Sequence, residues 1–300
     1  MQMWRAGLTL NQNSFPARPL VRTVFVTHLH ADHIMDLANL FMGSWPTHIL
    51  DLYGPSPAGL PIPVFPPDAV RPLAFPDAPT PGLRSTVELL MGAFAYNINL
   101  RIADEGRTNV LDCIRLHEMG VRRDGYEPDI DMGCTADGRS AASAAPPMEP
   151  VVIYPEDDHG VTVSAVLVQH APVFPAFGFR FDTPHGSVAF SGDTGFCENV
   201  ARLAHGADVL VHEVIDLEQM GARLKRLPNY ESVLNHLGSS HSSPEQVGAI
   251  AKRAGVRTLV LSHLVPGDAD LHEDEWEERV RTHFDGEIVC GVDLDEFALV

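Results

Sequence analysis

The sequence predicts an α/β fold in which strands and helices alternate along 300 residues. Apolar runs rich in β-branched residues, such as 21–26 and 257–262, have the composition of strands. Residues 244–254 carry apolar side chains at helical spacing and begin at a proline preceded by serine, a usual helix start. The chain closes with a predicted helix at 276–283 and strand at 288–290, an order typical of layered α/β proteins.

Size and composition favour one large domain spanning residues 1–300. The hydrophobic content of 45% and the mean hydropathy of −0.02 are those of a globular protein with a sizeable core. No run approaches the roughly 20 apolar residues of a membrane span, and the N-terminus lacks a signal-peptide core, so we expect a cytoplasmic protein with no membrane partner. The four cysteines form no closely spaced pair, which favours reduced thiols.

The chain is strongly acidic. Forty Asp and Glu residues against 21 Lys and Arg residues give a formal charge of −19. Such a balance repels polyanions, and the densest basic clusters are only Arg122-Arg123 and Arg223, Lys225 and Arg226. The charge indicates a solvated acidic surface and argues against a nucleic-acid partner, with transfer RNA kept as the alternative.

Four potential metal ligands fall within six residues, directly after the first predicted strand: His28, His30, Asp32 and His33. Imidazole and carboxylate groups suit zinc, and also manganese or iron. In an extended segment His28 and His30 point to the same side, whereas Asp32 opens the next helix, predicted over 32–42, and can serve a second ion. The alternative is a polar turn whose histidines merely cap that helix.

Three further candidate ligands each follow an apolar, strand-like run: His170, Asp193 and His263. The ends of neighbouring strands can converge on one site. Seven ligands are too many for one tetrahedral zinc ion. We therefore expect two divalent metal ions, with zinc the first choice.

The N-terminal half has fewer regular patterns. Residues 1–19 predict a short helix or turn and then a loop, and 48–55 predict a short strand. Prolines recur through 55–82, which excludes helix and predicts a loop that either faces the substrate or simply covers the surface. Residues 83–103 predict an amphipathic helix, and the polar stretch 115–150, rich in Ala, Gly, Ser and Pro, predicts a flexible insertion.

The C-terminal half has clearer strand signals. They predict strands at 151–154, 161–169, 208–212 and 297–300. Residues 177–191 predict a hairpin that delivers Asp193 at its exit. The strand at 208–212 ends at His212-Glu213, which places Glu213 among the candidate site residues.

An HxHxDH motif followed by His, Asp and His resembles the metallo-β-lactamase superfamily of di-metal hydrolases. The second half is most similar to ribonuclease Z and its phosphodiesterase- and arylsulfatase-like relatives. That similarity lies in residues 169–181, 191–194, 211–213 and 241–245. The resemblance implies an αββα sandwich in which several strands normally precede HxHxDH. Only one is recognisable here, so we expect the N-terminal strands to be missing or abridged, with a homodimer as one way to cover the edge.

The resemblance also implies roles. His28, His30 and His170 would hold one ion, Asp32, His33 and His263 the other, and Asp193 would bridge them. Asp32 is expected to be a catalytic residue as well as a metal ligand. His241 would be the general acid that protonates the leaving oxygen, and Glu213 would orient its imidazole. The alternative for His241 is a helix cap near Pro244.

These roles predict a di-metal hydrolase that cleaves a phosphodiester or another small ester through a metal-bridging hydroxide. The second hypothesis is a transfer-RNA 3′-processing endonuclease of the ribonuclease Z type. The charge of −19 and the lack of an evident basic arm argue against it. Lactone, sulfate-ester and β-lactam hydrolysis stay open. A hypothesis of another class is a metal-stabilised, non-catalytic binding protein, against which the intact ligand set argues.

Overall fold

The computed structural model describes residues 2–6, 8, 21–133, 145–267 and 273–299. The chain divides into two compact units. The first unit is formed by Met1–Ala58 and Thr80–Gly133, and the second by Gly59–Pro79 and Cys134–Val300. The single domain expected over 1–300 stays a prediction. Most of the loop predicted at the N-terminus, and part of the predicted insertion, lie outside the described residues.

The first unit contains a four-stranded, all-parallel sheet in the order β1-β2-β3-β4. Its strands are β1 (Thr23–Phe25), β2 (Leu50–Pro55), β3 (Ile114–Gly120) and β4 (Ile130–Asp131). Its helices are α1 (Gln2–Arg5), α2 (Ala31–Ile34), α3 (Leu37–Ser44), α4 (Leu83–Ala93) and α5 (Ala95–Ala103), with a 3-10 turn at Val110–Cys113. Among the described residues β1 pairs only with β2, so it lies at an edge of the sheet.

The core of the first unit lies on one face of this sheet. Alternate strand residues such as Leu50 and Leu52 point to that face, because strand side chains alternate with period two. They pack against Phe41 of α3 and Leu83 of α4, which are fully buried. This packing fixes the end of β1, where the HxHxDH segment begins.

Three expectations for the first unit are corrected. The helix expected over 32–42 is divided into α2, which ends at Ile34, and α3, which begins at Leu37. Residues 83–103 form two helices, because Phe94 adopts a non-helical conformation with φ −100° and ψ 11° between α4 and α5. The insertion expected from residue 115 instead begins with β3, which pairs with β2 along six residues. Ile114 and Leu116 alternate with polar residues and pack on the core, and the charged residues Arg115 and Glu118 concealed this strand pattern.

The second unit contains a seven-stranded mixed sheet in the order β11-β10-β9-β8-β7-β6-β5. Its strands are β5 (Val151–Tyr154), β6 (Thr162–Leu167), β7 (Phe177–Thr183), β8 (Gly186–Phe190), β9 (Val209–Ile215), β10 (Thr258–Val265) and β11 (Glu287–Cys290). Its helices are α6 (Glu198–Leu203), α7 (Leu217–Leu224), α8 (Tyr230–Ser240), α9 (Pro244–Ala254) and α10 (Glu273–Arg281). β5 to β8 pair in antiparallel order, and β8 to β11 in parallel order.

The core of the second unit joins this sheet to α6, α9 and α10. Ile250 of α9 and Val280 of α10 are fully buried beside Leu210 and Leu259 of the central strands. Each such side chain contributes about 1.5 to 3 kcal/mol by leaving water. The packing holds β8, β9 and β10 in register, and the candidate site residues follow or lie within these strands.

The α/β class is confirmed, with two sheets. The predicted hairpin is β7 and β8, and helix 244–254 has the predicted bounds. The strand expected at the C-terminus is absent from residues 297–299. Over the described residues, no helix combines the length and apolar character needed to cross a membrane.

Candidate active site

The HxHxDH segment of the first unit leaves β1 and continues into α2. His28 is fully buried, and a hydrogen bond of 3.1 Å joins its Nδ1 to Thr27 Oγ1. The His28 ring lies 4.8 Å from the ring of His30 and 4.1 Å from that of His33, measured between centroids. His33 Nε2 lies 3.5 Å from Asp32 Oδ2. Although His30 is the N-cap residue of α2, its side chain makes no capping hydrogen bond, which argues against the helix-cap alternative for this histidine.

His170 belongs to the second unit and follows β6. It is fully buried, and its Nδ1 donates to the carbonyl oxygen of Ser240 at 2.9 Å. Because a carbonyl only accepts, this hydrogen bond fixes the neutral tautomer with its lone pair on Nε2. That nitrogen is the one available to a metal ion, in the arrangement typical of ligating histidines.

Asp193 and His263 come together where β8 has ended and the β9–β10 register is interrupted. Asp193 is buried just after β8, and its Oδ2 lies 3.7 Å from His263 Nε2. His263 lies at a break in the β9–β10 register and has a φ of +48°. A bulge of this kind redirects one side chain without ending the strand, and left-handed φ in a non-glycine residue is typical of functional sites.

His241 and Glu213 form a buried pair in the second unit. His241 Nδ1 lies 3.1 Å from Glu213 Oε2, and both side chains are less than a tenth exposed. Glu213 Oε1 accepts from the backbone N–H of Ser242 at 2.8 Å and from that of Thr194 at 3.4 Å. Ser243, and not His241, caps α9 through a capping box with Gln246. The imidazole of His241 is therefore held by Glu213 through its Nδ1.

Burial dominates the electrostatics of this pair. It raises the pKa of the Glu213 carboxyl above its usual value, while the hydrogen bond and the charge of His241 oppose that rise. The neighbouring His212 is fully buried, and burial lowers its pKa from 6.5 to about 4, against a hydrogen bond that it donates to Glu213 O. His212 is therefore neutral at physiological pH and belongs to the structural core.

Sequence reasoning missed several residues that shape the site. The carbonyl of Ser240 and the backbone of Thr194 and Ser242 carry no sequence signal, because any residue supplies the same groups. His236 was given no role, yet its ring lies 6.5 Å from that of His241 and 6.4 Å from that of His170. His236 lies in α8 and His241 directly follows it, but a spacing of five residues does not by itself predict that two helical side chains meet.

The donor chemistry fits a divalent transition metal. In the second unit alone, one donor atom each from Asp193, His241 and His263 lie within 4.8 Å of one another. Neutral imidazole and carboxylate are the ligands that zinc, manganese and iron accept. The HxHxDH cluster of the first unit offers the same groups, so the residues present suit divalent metal binding.

Comparison with known proteins agrees with these features. The model of the Beta-lactamase superfamily domain matches residues 134–264. The chain is 32% identical over 275 residues to ribonuclease Z of Mycobacterium bovis (strain BCG / Pasteur 1173P2), covering 90% of this chain and 77% of that protein. It is 31% identical over 272 residues to ribonuclease Z of Mycobacterium marinum (strain ATCC BAA-535 / M), with the same coverage. A crystal structure of human tRNase Z, short form, is 19% identical with a TM-score of 0.49, covering 93% of this chain and 79% of that one.

Identity above 30% over nine tenths of the chain shows common descent, and the resemblance expected from the motifs is confirmed. The matched superfamily acts through bound divalent metal. The chain belongs to the ribonuclease Z family within the metallo-β-lactamase superfamily and is a metal-dependent hydrolase of ester bonds.

Proposed function

We propose that this chain is an endoribonuclease that cleaves a phosphodiester at the 3′ side of precursor transfer RNA. The observation that carries the proposal is similarity to proteins named ribonuclease Z along nine tenths of the chain. The buried His241–Glu213 pair supports it, because RNA cleavage must protonate a ribose oxygen as it departs. Of the two hydrolase hypotheses that the sequence left open, the relatives favour RNA over a small ester.

The proposal includes two divalent ions, zinc first, with manganese or iron as alternatives. One ion would be held by His28, His30 and His170. The other would be held by Asp32, His33 and His263, and Asp193 would bind both ions. The donor types and the fixed tautomer of His170 support this assignment. When bound, such ions activate water and stabilise charge on phosphate oxygens.

The chain's own groups supply the proton. Glu213 Oε2 faces Nδ1 of His241 and stabilises the positively charged imidazole, while two backbone N–H groups keep the carboxylate in place. The opposite nitrogen, Nε2, donates to the oxygen that leaves. A departing alkoxide is strongly basic, so this proton transfer contributes typically 10²–10⁴-fold to the rate.

A small phosphodiester is the second candidate, supported by the formal charge of −19. The test compares hydrolysis of a model precursor transfer RNA with that of bis(p-nitrophenyl) phosphate by the same metal-loaded preparation. We expect kcat/KM to be far higher for RNA, with cleavage at one phosphodiester near the 3′ end. Efficient turnover of the small ester without RNA cleavage would refute the proposal and favour the second candidate. A homodimer stays a separate prediction, which the molecular mass in solution tests.

A further inference from the structure

We propose that the α7–α8 hairpin carries a binding surface for the backbone phosphates of the RNA. The surface consists of Arg223, Lys225 and Arg226 at the turn between the helices, here called the basic tip. The inference rests on the proposed function, because it assigns how the same active site reaches its RNA. These three residues form one of the two densest basic clusters in the sequence.

The hairpin is a closely packed, antiparallel helix pair. A Cβ at Gly221 would lie 3.5 Å from Leu234 Cδ1, and a Cβ at Gly238 would lie 3.2 Å from Leu217 Cδ2. The start of α7 therefore packs against the end of α8, and the middle of α7 against the middle of α8. The turn that joins them must lie at the opposite end of the hairpin.

The base of the hairpin is anchored at the active site. Asp216 follows β9, and its Oδ1 accepts from the backbone N–H of Gln219 to cap α7. Arg279 Nη1 donates to Asp216 Oδ2 at 2.8 Å and holds this end on α10. At the other end α8 finishes at Ser240 and leads directly to His241. Eleven helical residues at 1.5 Å each place the basic tip roughly 16 Å from the proton donor.

The charge of the basic tip differs from that of the rest of the chain. Residues 223–230 hold three cations and no carboxylate, in a chain of formal charge −19. Several arginines elsewhere face carboxylates, such as Arg84 with Asp129 and Arg122 with Glu127. Over the part of the chain that the structure describes, no carboxylate lies within ion-pair distance of Lys225 or Arg226. Both side chains belong to exposed residues.

This arrangement suits a polyanion that extends well beyond the scissile bond. A local positive surface on an acidic protein attracts phosphates to one place, while the remaining surface repels them and so limits wrong orientations. Arg223 is exposed on the last turn of α7, where Gln219 Oε1 accepts from its Nη2 at 2.8 Å. An RNA whose scissile phosphate lies at His241 could reach the basic tip along α8, whereas a small ester could not.

The experiment compares two triple variants of the full-length protein. The test variant is Arg223→Gln, Lys225→Gln and Arg226→Gln. The control variant removes three exposed cations of the same unit, through Lys252→Gln, Arg253→Gln and Arg257→Gln; two of them pair with Glu198 and Asp208. Both variants lower the net charge by three, so a general charge effect would be the same in each.

The first measurement is binding of a fluorescein-labelled model precursor transfer RNA to chelator-treated protein, by anisotropy across a series of salt concentrations. A plot of log K against log salt has a negative slope, and each lost phosphate contact makes that slope shallower by about 0.7 to 0.9. We expect the slope of the test variant to be shallower by about 2 to 3 and its affinity to fall roughly tenfold or more. The control variant should resemble wild type in both quantities. Arg223→Lys with Arg226→Lys keeps the charges and should keep the slope.

The second measurement is cleavage of the same RNA, normalised to hydrolysis of bis(p-nitrophenyl) phosphate, which reports the fraction of active enzyme. We expect the ratio to fall in the test variant and not in the control. Equal loss of RNA binding in both triple variants, or an unchanged slope in the test variant, would overturn the inference. So would binding of wild type to anionic lipid vesicles but not to RNA. Salt-dependent RNA binding that needs the basic tip, without RNA cleavage, would support the binding surface while refuting the proposed nuclease.

Discussion

Replacing Glu213 by Gln should slow cleavage when the leaving group is a poor one and spare it when the leaving group is good. The variant keeps the side-chain oxygen that accepts from Ser242 N at 2.8 Å. Its amide nitrogen would face His241 Nδ1, which lies 3.1 Å from Glu213 Oε2 in the native protein. Two donors then oppose each other, and the negative charge that stabilises the protonated imidazole is gone.

The geometry bounds the size of the effect. Opposite unit charges about 4 Å apart attract by about 4 kcal/mol at an effective dielectric constant of about 20. This bounds the loss at roughly 10³-fold, since each 1.36 kcal/mol is about tenfold in rate. Partners that orient a site group are typically worth about 10- to 100-fold. We therefore expect roughly a 10²-fold loss in kcat for RNA or for an alkyl leaving group.

The assay uses two phosphodiesters that differ only in leaving group, one alkyl and one nitrophenyl, with metal content measured on the same samples. Nitrophenolate needs little protonation, so the nitrophenyl substrate should be cleaved nearly normally.

His241→Ala should give the same pattern, with a larger loss of activity on the alkyl substrate and with its metal retained. Glu198→Gln, an exposed and ion-paired glutamate, is the matched control. Equal loss on both substrates would refute the proton-donor role. Loss of metal from His241→Ala would make His241 a ligand with Asp193 and His263, whose donor atoms it approaches within 4.8 Å.

Three further predictions follow from single side chains. Asp193→Ala should bind fewer than two ions per chain by elemental analysis, and a variant that keeps both would contradict the bridging role. His212→Asn should flatten the pH dependence of unfolding free energy in metal-free protein. Burial depresses the His212 pKa from 6.5 to about 4, so its contribution is fully present above pH 6.5 and is lost as pH falls towards 4, by at most about 3 kcal/mol. Urea unfolding at several pH values measures the unfolding free energy, and the same dependence of that free energy on pH in wild type and variant would contradict this prediction. Ser243→Ala should lower the unfolding free energy by about 1 kcal/mol, because the α9 capping box is lost; an unchanged urea midpoint would refute this.

Local sequence was enough to find the segments that carry the candidate ligands. The apolar runs before His170 and Asp193 form strands β6 and β8 because their residue types favour burial on a sheet whatever the partner strand is. Helix 244–254 was predicted with its exact bounds because its serine cap and first-turn proline act within one turn. The family was readable for the same reason, since its motifs are short and contiguous.

Other features needed the tertiary structure. Strand β3 was overlooked because its stability comes from pairing with β2, more than sixty residues earlier, and because Arg115, His117 and Glu118 interrupt its apolar residues. The break between α4 and α5 lies at Phe94, a residue that does not stop a helix by itself.

The sequence by itself determined which residue types could bind metal and donate a proton, because those properties belong to the side chains. Tertiary structure decided how they are held. Glu213 meets His241 across 28 residues, and the Ser240 carbonyl meets His170 across 70. Such contacts depend on strand register and helix ends, since a shift of one residue in β9 would turn Glu213 to the other face of its strand, and a shift in the end of α8 would move Ser240 and His241.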